Sequence, residues 1–219
     1  MVEVAELGGD SLGRSIRRLA APVLIEQSLL YLVGFSDTLL AGLYLRSEEL
    51  AAVTVAGYLL WFLTSLTTVV SAGAMAIVAR RVGAGDWREA SRVTRLAVSL
   101  AVLMGLVMMF VVWFEAPRIV GWLQLTGRSA EGAATFLRIV MLSAPFIFGE
   151  QAGNACLRGA GDTRTGMWAI VVINVLNVPL SWAFVTGWNP WGPLGLTGIA
   201  IGTAVGQAVG GAMVLGALW

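Results

Sequence analysis

LAAPVLIEQSLLYLVGFSDTLLAG, Leu19–Gly42, is an apolar run longer than the about 20 residues a helix needs to cross a bilayer. It carries two carboxylates, Glu26 and Asp37. On insertion scales an ionised carboxylate at the bilayer centre costs about 2.5–3.5 kcal/mol. A spanning helix tolerates that only where the group faces protein, water or an ion. The two acids are eleven residues apart, about three helical turns, which puts both on nearly one face. The rest of the chain reads as further helices arranged around that face.

Composition agrees with a membrane chain. Of the 219 residues, 58% are hydrophobic and 12% charged, against about 25% charged in soluble domains. Mean hydropathy is +0.82. The net charge of +1 does not point to nucleic acid. All 14 basic residues are Arg, and His is absent. Without the usual neutral-pH proton carrier, any proton coupling falls to carboxylates. Cys156 is alone, so it forms no intrachain disulfide or metal site and reads as a small apolar filler. The N-terminus does not resemble a signal peptide: Glu3, Glu6 and Asp10 precede the arginines, and Glu26 lies inside the apolar run. Leu19–Gly42 is expected to be a retained first span.

The expected organisation is a cytoplasmic amphipathic lead-in over 1–18, then a six-helix transmembrane lobe over 19–219. After the first span, the others are expected at about 51–79, 96–114, 133–157, 166–187 and 196–218. Glu115–Gly127, with its proline, is expected at the interface, and Arg138 snorkels near one end of span four. Ten arginines fall on the side of the termini (14, 17, 18, 80, 81, 88, 92, 95, 158 and 164) and four on the other (46, 118, 128 and 138). The excess marks the cytoplasmic side, so both termini are predicted inside. Trp182, Trp188 and Trp191 then lie near the outer interface. Gly198, Gly202, Gly206 and Gly210 recur every fourth residue in span six, a ladder that admits a neighbouring helix closely. Pro179 in span five frees a carbonyl and is expected to bend the helix. APVLIEQ at Ala21–Gln27 is faintly echoed by APFIFGEQ at Ala144–Gln151. An inverted repeat predicts such an echo, and so does chance likeness between apolar segments.

The polar residues form two groups. Asn174, Asn177 and Ser181 share one face of span five, and Thr203 and Gln207 are one turn apart on span six. Asp37, Asn177, Ser181 and Thr203 fall at depths that let them meet in the outer half of the bundle. A carboxylate with amide and hydroxyl oxygens suits a proton, or Na+ held at Asp37, as a coupling-ion site. Equally, Asn, Ser and Thr can serve only as hydrogen bonds between helices. Glu26 and Glu150 form a second acidic pair in the inner half, as a relay, as groups reaching a water-filled vestibule, or with Glu150 paired to Arg158 two turns away. No G-x-S-x-G, H-E-x-x-H or Walker A sequence occurs. GAGDW and GAGDTR lack the phosphate-loop lysine and read as turns that end long helices. The chain is not expected to be an enzyme or to hold a cofactor.

DTLLAG at Asp37–Gly42, LAAV at Leu50–Val53, VGAGD at Val82–Asp86, LRGAGDTR at Leu157–Arg164, and Asn174-x-x-Asn177 followed by Pro179 resemble, in order and spacing, the multidrug and toxic compound extrusion (MATE) family. The resemblance implies an all-α integral membrane fold, one six-helix lobe of a twelve-helix secondary antiporter. It further implies export of organic cationic or amphipathic compounds in exchange for H+ or Na+, through a multi-pass protein of the cell inner membrane. Asp37 matches the family's helix-one acid and Asn177 its helix-five Asn. Ser181 stands where that branch has an Asp, and Thr203 corresponds to its helix-six Thr. The match covers the first lobe, so a second six-helix half or a homodimer is the implied partner. Two other readings are a half that does not transport by itself and a relative of the lipid-linked oligosaccharide flippases. The latter should have a basic cavity, yet no Arg lies in mid-span.

Overall fold

A computed structural model describes the backbone of residues 9–218 and the side chains of residues 20–218. Eight helices follow one another: α1 (Gly9–Tyr44), α2 (Ser47–Ser65), α3 (Thr67–Gly83), α4 (Trp87–Gly121), α5 (Gly127–Met141), α6 (Ala144–Gly159), α7 (Arg164–Thr186) and α8 (Gly195–Ala217). There is no strand among the described residues. Four helices are long and apolar enough to cross a bilayer alone: α1, α4, α7 and α8. The pairs α2–α3 and α5–α6, bent by 40° and 58°, pass the same length and hydropathy test together, giving up to six spans if each pair crosses once. Helix α1 runs unbroken past residue 18. Residues 1–8 of the expected lead-in lie outside the described residues.

Two expected single spans are therefore broken. In the second, Ser and Thr cluster at the break. Thr64 donates to the Leu60 carbonyl at 2.8 Å and Ser65 to the Phe62 carbonyl at 2.6 Å. Such back-bonding competes with the helix ladder and bends it. In the fourth, Pro145 has no N–H to continue the ladder, so α6 restarts with the proline in its first turn. The break fits against Gly105 of α4, where a methyl would stand 2.6 Å from the Ala144 carbonyl oxygen.

The segment expected at the interface, Glu115–Gly127, begins inside α4, which continues through Pro117 to Gly121. Pro117 leaves the Trp113 carbonyl without its usual donor, and Arg138 supplies one, Nε to O at 2.9 Å. The arginine satisfies a neighbouring helix, so the proline is accommodated.

The two GAGD loops do the same work, as turns between helices. Gly85 (φ +76°) and Gly161 (φ +90°) take the left-handed conformation after α3 and α6. The following aspartate then caps the next helix. Asp86 accepts from the Glu89 N–H at 3.1 Å, and Asp162 from those of Arg164 and Thr165 at 2.9 and 3.2 Å. Burial pushes the Asp162 carboxyl up, but the hydrogen bonds from Thr165 and Arg164, with the Arg164 charge, outweigh it and hold the group below its ordinary value.

The glycine ladder of α8 packs on α7. Methyls at Gly198 and Gly206 would meet the backbone of Phe184 at 2.8 Å and of Ile173 at 3.1 Å. Helix α1 lies over the same α7 surface, with Val33 packed against Ile170 and Ile173. Three helices that carry polar residues thus share one seam.

Candidate functional site

At that seam Asp37 is 4% exposed and Asn177 fully buried. Asn177 Nδ2 donates to Asp37 Oδ1 at 3.2 Å and to Thr203 Oγ1 at 2.9 Å. Thr203 Oγ1 donates to Asp37 Oδ2 at 2.7 Å. The three side chains close a triangle across α1, α7 and α8, in which both carboxylate oxygens accept. Ser36 extends it: its single hydroxyl proton has two acceptors, the Val33 carbonyl at 2.8 Å and Asn177 Oδ1 at 3.2 Å. Both N–H groups of the amide are used, and its oxygen faces Ser36.

The Thr203 hydroxyl has a second acceptor, the Ile199 carbonyl at 3.0 Å. It has one proton. When Asp37 is ionised, that proton serves the carboxylate. When Asp37 carries a proton of its own, the hydroxyl can turn to Ile199 and accept from the acid. The triangle therefore suits either charge state with no buried polar atom orphaned.

The other expected residues lie elsewhere. Ser181 is buried, but its hydroxyl bonds the Ile199 carbonyl at 3.3 Å and does not reach Asp37. Asn174 donates to the carbonyls of Leu29 (3.0 Å) and Ile170 (2.9 Å). Gln207 is half-buried and makes no side-chain hydrogen bond among the described residues. Glu26 Oε1 pairs with Arg158 at 3.2 Å. That corrects the alternative in which Arg158 pairs with Glu150: the guanidinium leaves its own helix and ties α6 to α1. Glu150 is buried, and among the described residues it makes no hydrogen bond. Ser36 was not anticipated. As the neighbour of Asp37 it is turned about 100° from it on the helix, and only a partner on another helix gives it a role.

At the far end of α7, Trp182 stacks at a tilt on Trp188 with ring centres 5.8 Å apart. Among the described residues no three His, Cys, Asp or Glu side chains converge as a metal site.

Comparison with known proteins gives a consistent picture. The sequence profile of the MatE family matches residues 22–183. The probable multidrug resistance protein NorM of Thermotoga maritima is 26% identical over 197 residues, 90% of this chain and 42% of that protein. The multidrug resistance protein MdtK of Klebsiella pneumoniae is 28% identical over 201 residues, 87% and 42%. Among solved structures, MATE in the bent conformation aligns with a TM-score of 0.82 at 26% identity, covering 92% of this chain and 44% of that one. A MOP superfamily transporter from Pyrococcus furiosus, whose binding pocket of reverse polarity is said to suggest a different function, aligns with a TM-score of 0.82 at 25% identity, covering 91% and 43%. The chain spans under half the length of each of these relatives.

Proposed function

The chain belongs to the MatE family of membrane transporters, and from that premise we propose that it is the cation-coupling half of a secondary antiporter that exports organic cationic or amphipathic compounds. The observation that carries this is the closed Asp37–Asn177–Thr203 triangle. A buried acid with a ready arrangement for both charge states is a place to take up and release a cation. The proton is the better fit. Asn177 turns its N–H groups toward Asp37 and Thr203, and these would face Na+ with the wrong end of the dipole. The amide would have to turn over before sodium could bind, its Nδ2 then donating to Ser36 Oγ, whose own proton has the Val33 carbonyl at 2.8 Å.

In this reading Asp37, Asn177 and Thr203 hold the proton, and Ser36 fixes the amide. Ser181 acts through helix packing, and Asn174 and Gln207 line the seam on either side. Protonation shifts which acceptor Thr203 uses, and so changes how α1 is held against α7 and α8. That couples the proton to the shape of the face offered to substrate. Alternating access by rocking of two bundles calls for a second six-helix half, from another segment or from a second copy. Residues 19–219 form the transmembrane lobe in the cell inner membrane, and residues 1–18 lead into it from the cytoplasm with both termini inside. The excess of arginine on the side of the termini supports that orientation.

The test is dye export by the active assembly in vesicles, driven by an imposed pH gradient and separately by a Na+ gradient. Asp37→Asn is expected to abolish proton-driven export. Undiminished export in that variant overturns the assignment.

A further inference from the structure

A second polar cluster lies at the opposite end of the seam from Asp37, on the side where α6 ends and α7 begins. Glu26 of α1 is 7% exposed, and Glu150 and Asn154 of α6 are 8% and 5% exposed. Arg158 bonds Glu26 Oε1 at 3.2 Å and, through Nε, the Asn154 carbonyl at 3.3 Å. Glu26 Oε2 and Asn154 Oδ1 are fully buried and have no donor. They converge on one spot: a methyl at Gly166 of α7 would stand 2.9 Å from the Asn oxygen and 3.2 Å from the Glu oxygen. As oriented, two acceptors face one gap, and each unsatisfied buried acceptor costs about 1–3 kcal/mol; a proton on Glu26 or a turned-over Asn154 amide would supply the donor.

The charges do not balance either. Two buried carboxylates, Glu26 and Glu150, accompany one guanidinium, which is bonded to Glu26 alone. The other described charged groups on this side are Arg80 and Arg81 on α3, Asp86, Arg88, Glu89, Arg92 and Arg95 in the following turn and on α4, and Asp162 and Arg164 at the start of α7; none is bonded to the cluster. The side chains of Arg14, Arg17 and Arg18 on α1 lie outside the described residues. Helix α8 brings no charge. Counting the described side chains, the buried site carries one uncompensated negative charge with both acids ionised, which is strongly unfavourable.

We propose that Glu26, Glu150, Asn154 and Arg158 form a second proton-binding site, which holds one proton shared by the two glutamates. On Glu26 Oε2 that proton supplies the missing donor, aimed at Asn154 Oδ1 across the opening beside Gly166. A proton fits where a metal cation does not, because Arg158 already occupies one side of the carboxylate with positive charge. A proton shared between the glutamates makes them titrate as a pair; each is the next-to-last residue of one of the two echoed segments, Ala21–Gln27 and Ala144–Gln151. The inference rests on this end of the bundle and not on the role proposed for Asp37.

Infrared difference spectra of the 219-residue chain in sodium-free detergent solution test it, in an Asp37→Asn background that removes the outer acid. One protonated-carboxyl band is expected at neutral pH. It should be lost when Glu26 and Glu150 are both replaced by Gln, and displaced in Asn154→Leu, which removes the acceptor. Arg158→Gln removes the balancing charge, so the band should about double in intensity as both acids take a proton. Absence of a protonated carboxyl in the Asp37→Asn protein overturns the proposal, as does a band indifferent to both glutamate replacements. Displacement of the band by added Na+ overturns the assignment of the occupant. Failure of Asp37→Asn to impair export, with this band intact, strikes only the coupling role of Asp37.

Discussion

Gly202→Ala should disable the Asp37 triangle without altering any of its polar atoms. A methyl built on Gly202 stands 2.6 Å from Ser181 N and 2.9 Å from Ser181 Cα. Both are backbone atoms of α7, so no side chain can swing clear. Relaxed contacts need about 3.5–4.0 Å, so α8 must retreat from α7 by about 1 Å. Thr203 is the next residue, and its oxygen accepts from Asn177 at 2.9 Å. The same retreat stretches that bond to about 4 Å, beyond hydrogen-bonding range. Overpacking of this kind costs about 1–3 kcal/mol. Replacing glycine by alanine inside a helix returns up to about 1 kcal/mol. The net expectation is a loss of about 0–2 kcal/mol once that gain is taken in full, with export reduced far beyond what that loss of folded protein explains. Gly216→Ala on the same helix is the control, because nothing lies within 4 Å of its methyl. The assays are thermal unfolding in detergent, followed by helical circular dichroism, and proton-driven dye export in vesicles. If Gly202→Ala unfolds with Gly216→Ala and transports at full rate, the α7–α8 contact is not what holds Thr203 to Asn177.

Thr203→Val keeps the shape of the side chain but removes the donor to Asp37 and the acceptor for Asn177, so proton-driven export should fall sharply, while Thr203→Ser should retain it; equal export in the two variants would count against the hydroxyl. Arg138→Met should destabilise the lobe by about 1–3 kcal/mol by stranding the Trp113 carbonyl, and Pro117→Ala should recover most of that loss by restoring a backbone N–H, a coupling read from the four melting curves of a double-mutant cycle. Gly159→Ala should loosen α6 from α3, because its methyl would meet the Met75 carbonyl oxygen at 2.7 Å, and the unfolding temperature should drop relative to Gly83→Ala, which meets nothing within 4 Å. Asp162→Asn should melt at a lower temperature than the unmodified chain near neutral pH. The Asp162 carboxyl is held low in the fold, so its contribution is present above the ordinary carboxylate range and is lost as pH falls through the folded value; the two melting curves should therefore converge on acidification.

Much of the molecule is legible in the sequence. Bilayer crossing depends on unbroken local hydropathy, and that property needs no knowledge of neighbours, so six spans and an acid inside the first could be read directly. Asp37, Asn177 and Thr203 could be placed together because helical rise sets their depth. The GAGD loops and the glycine ladder were readable as turns and as a packing surface for the same local reason. Tertiary structure alone decided the rest. Arg158 reaches Glu26 on α1, because helix α6 sets the arginine beside α1 and not over Glu150. Ser36 joins the triangle and Ser181 does not, because each residue turns a helix by about 100° and the neighbouring helix determines which direction is inward. Arg138 lets α4 continue through Pro117 from 21 residues away in sequence. Local hydropathy sets where a helix lies in the bilayer; the packing of one helix on another sets which of its side chains meet.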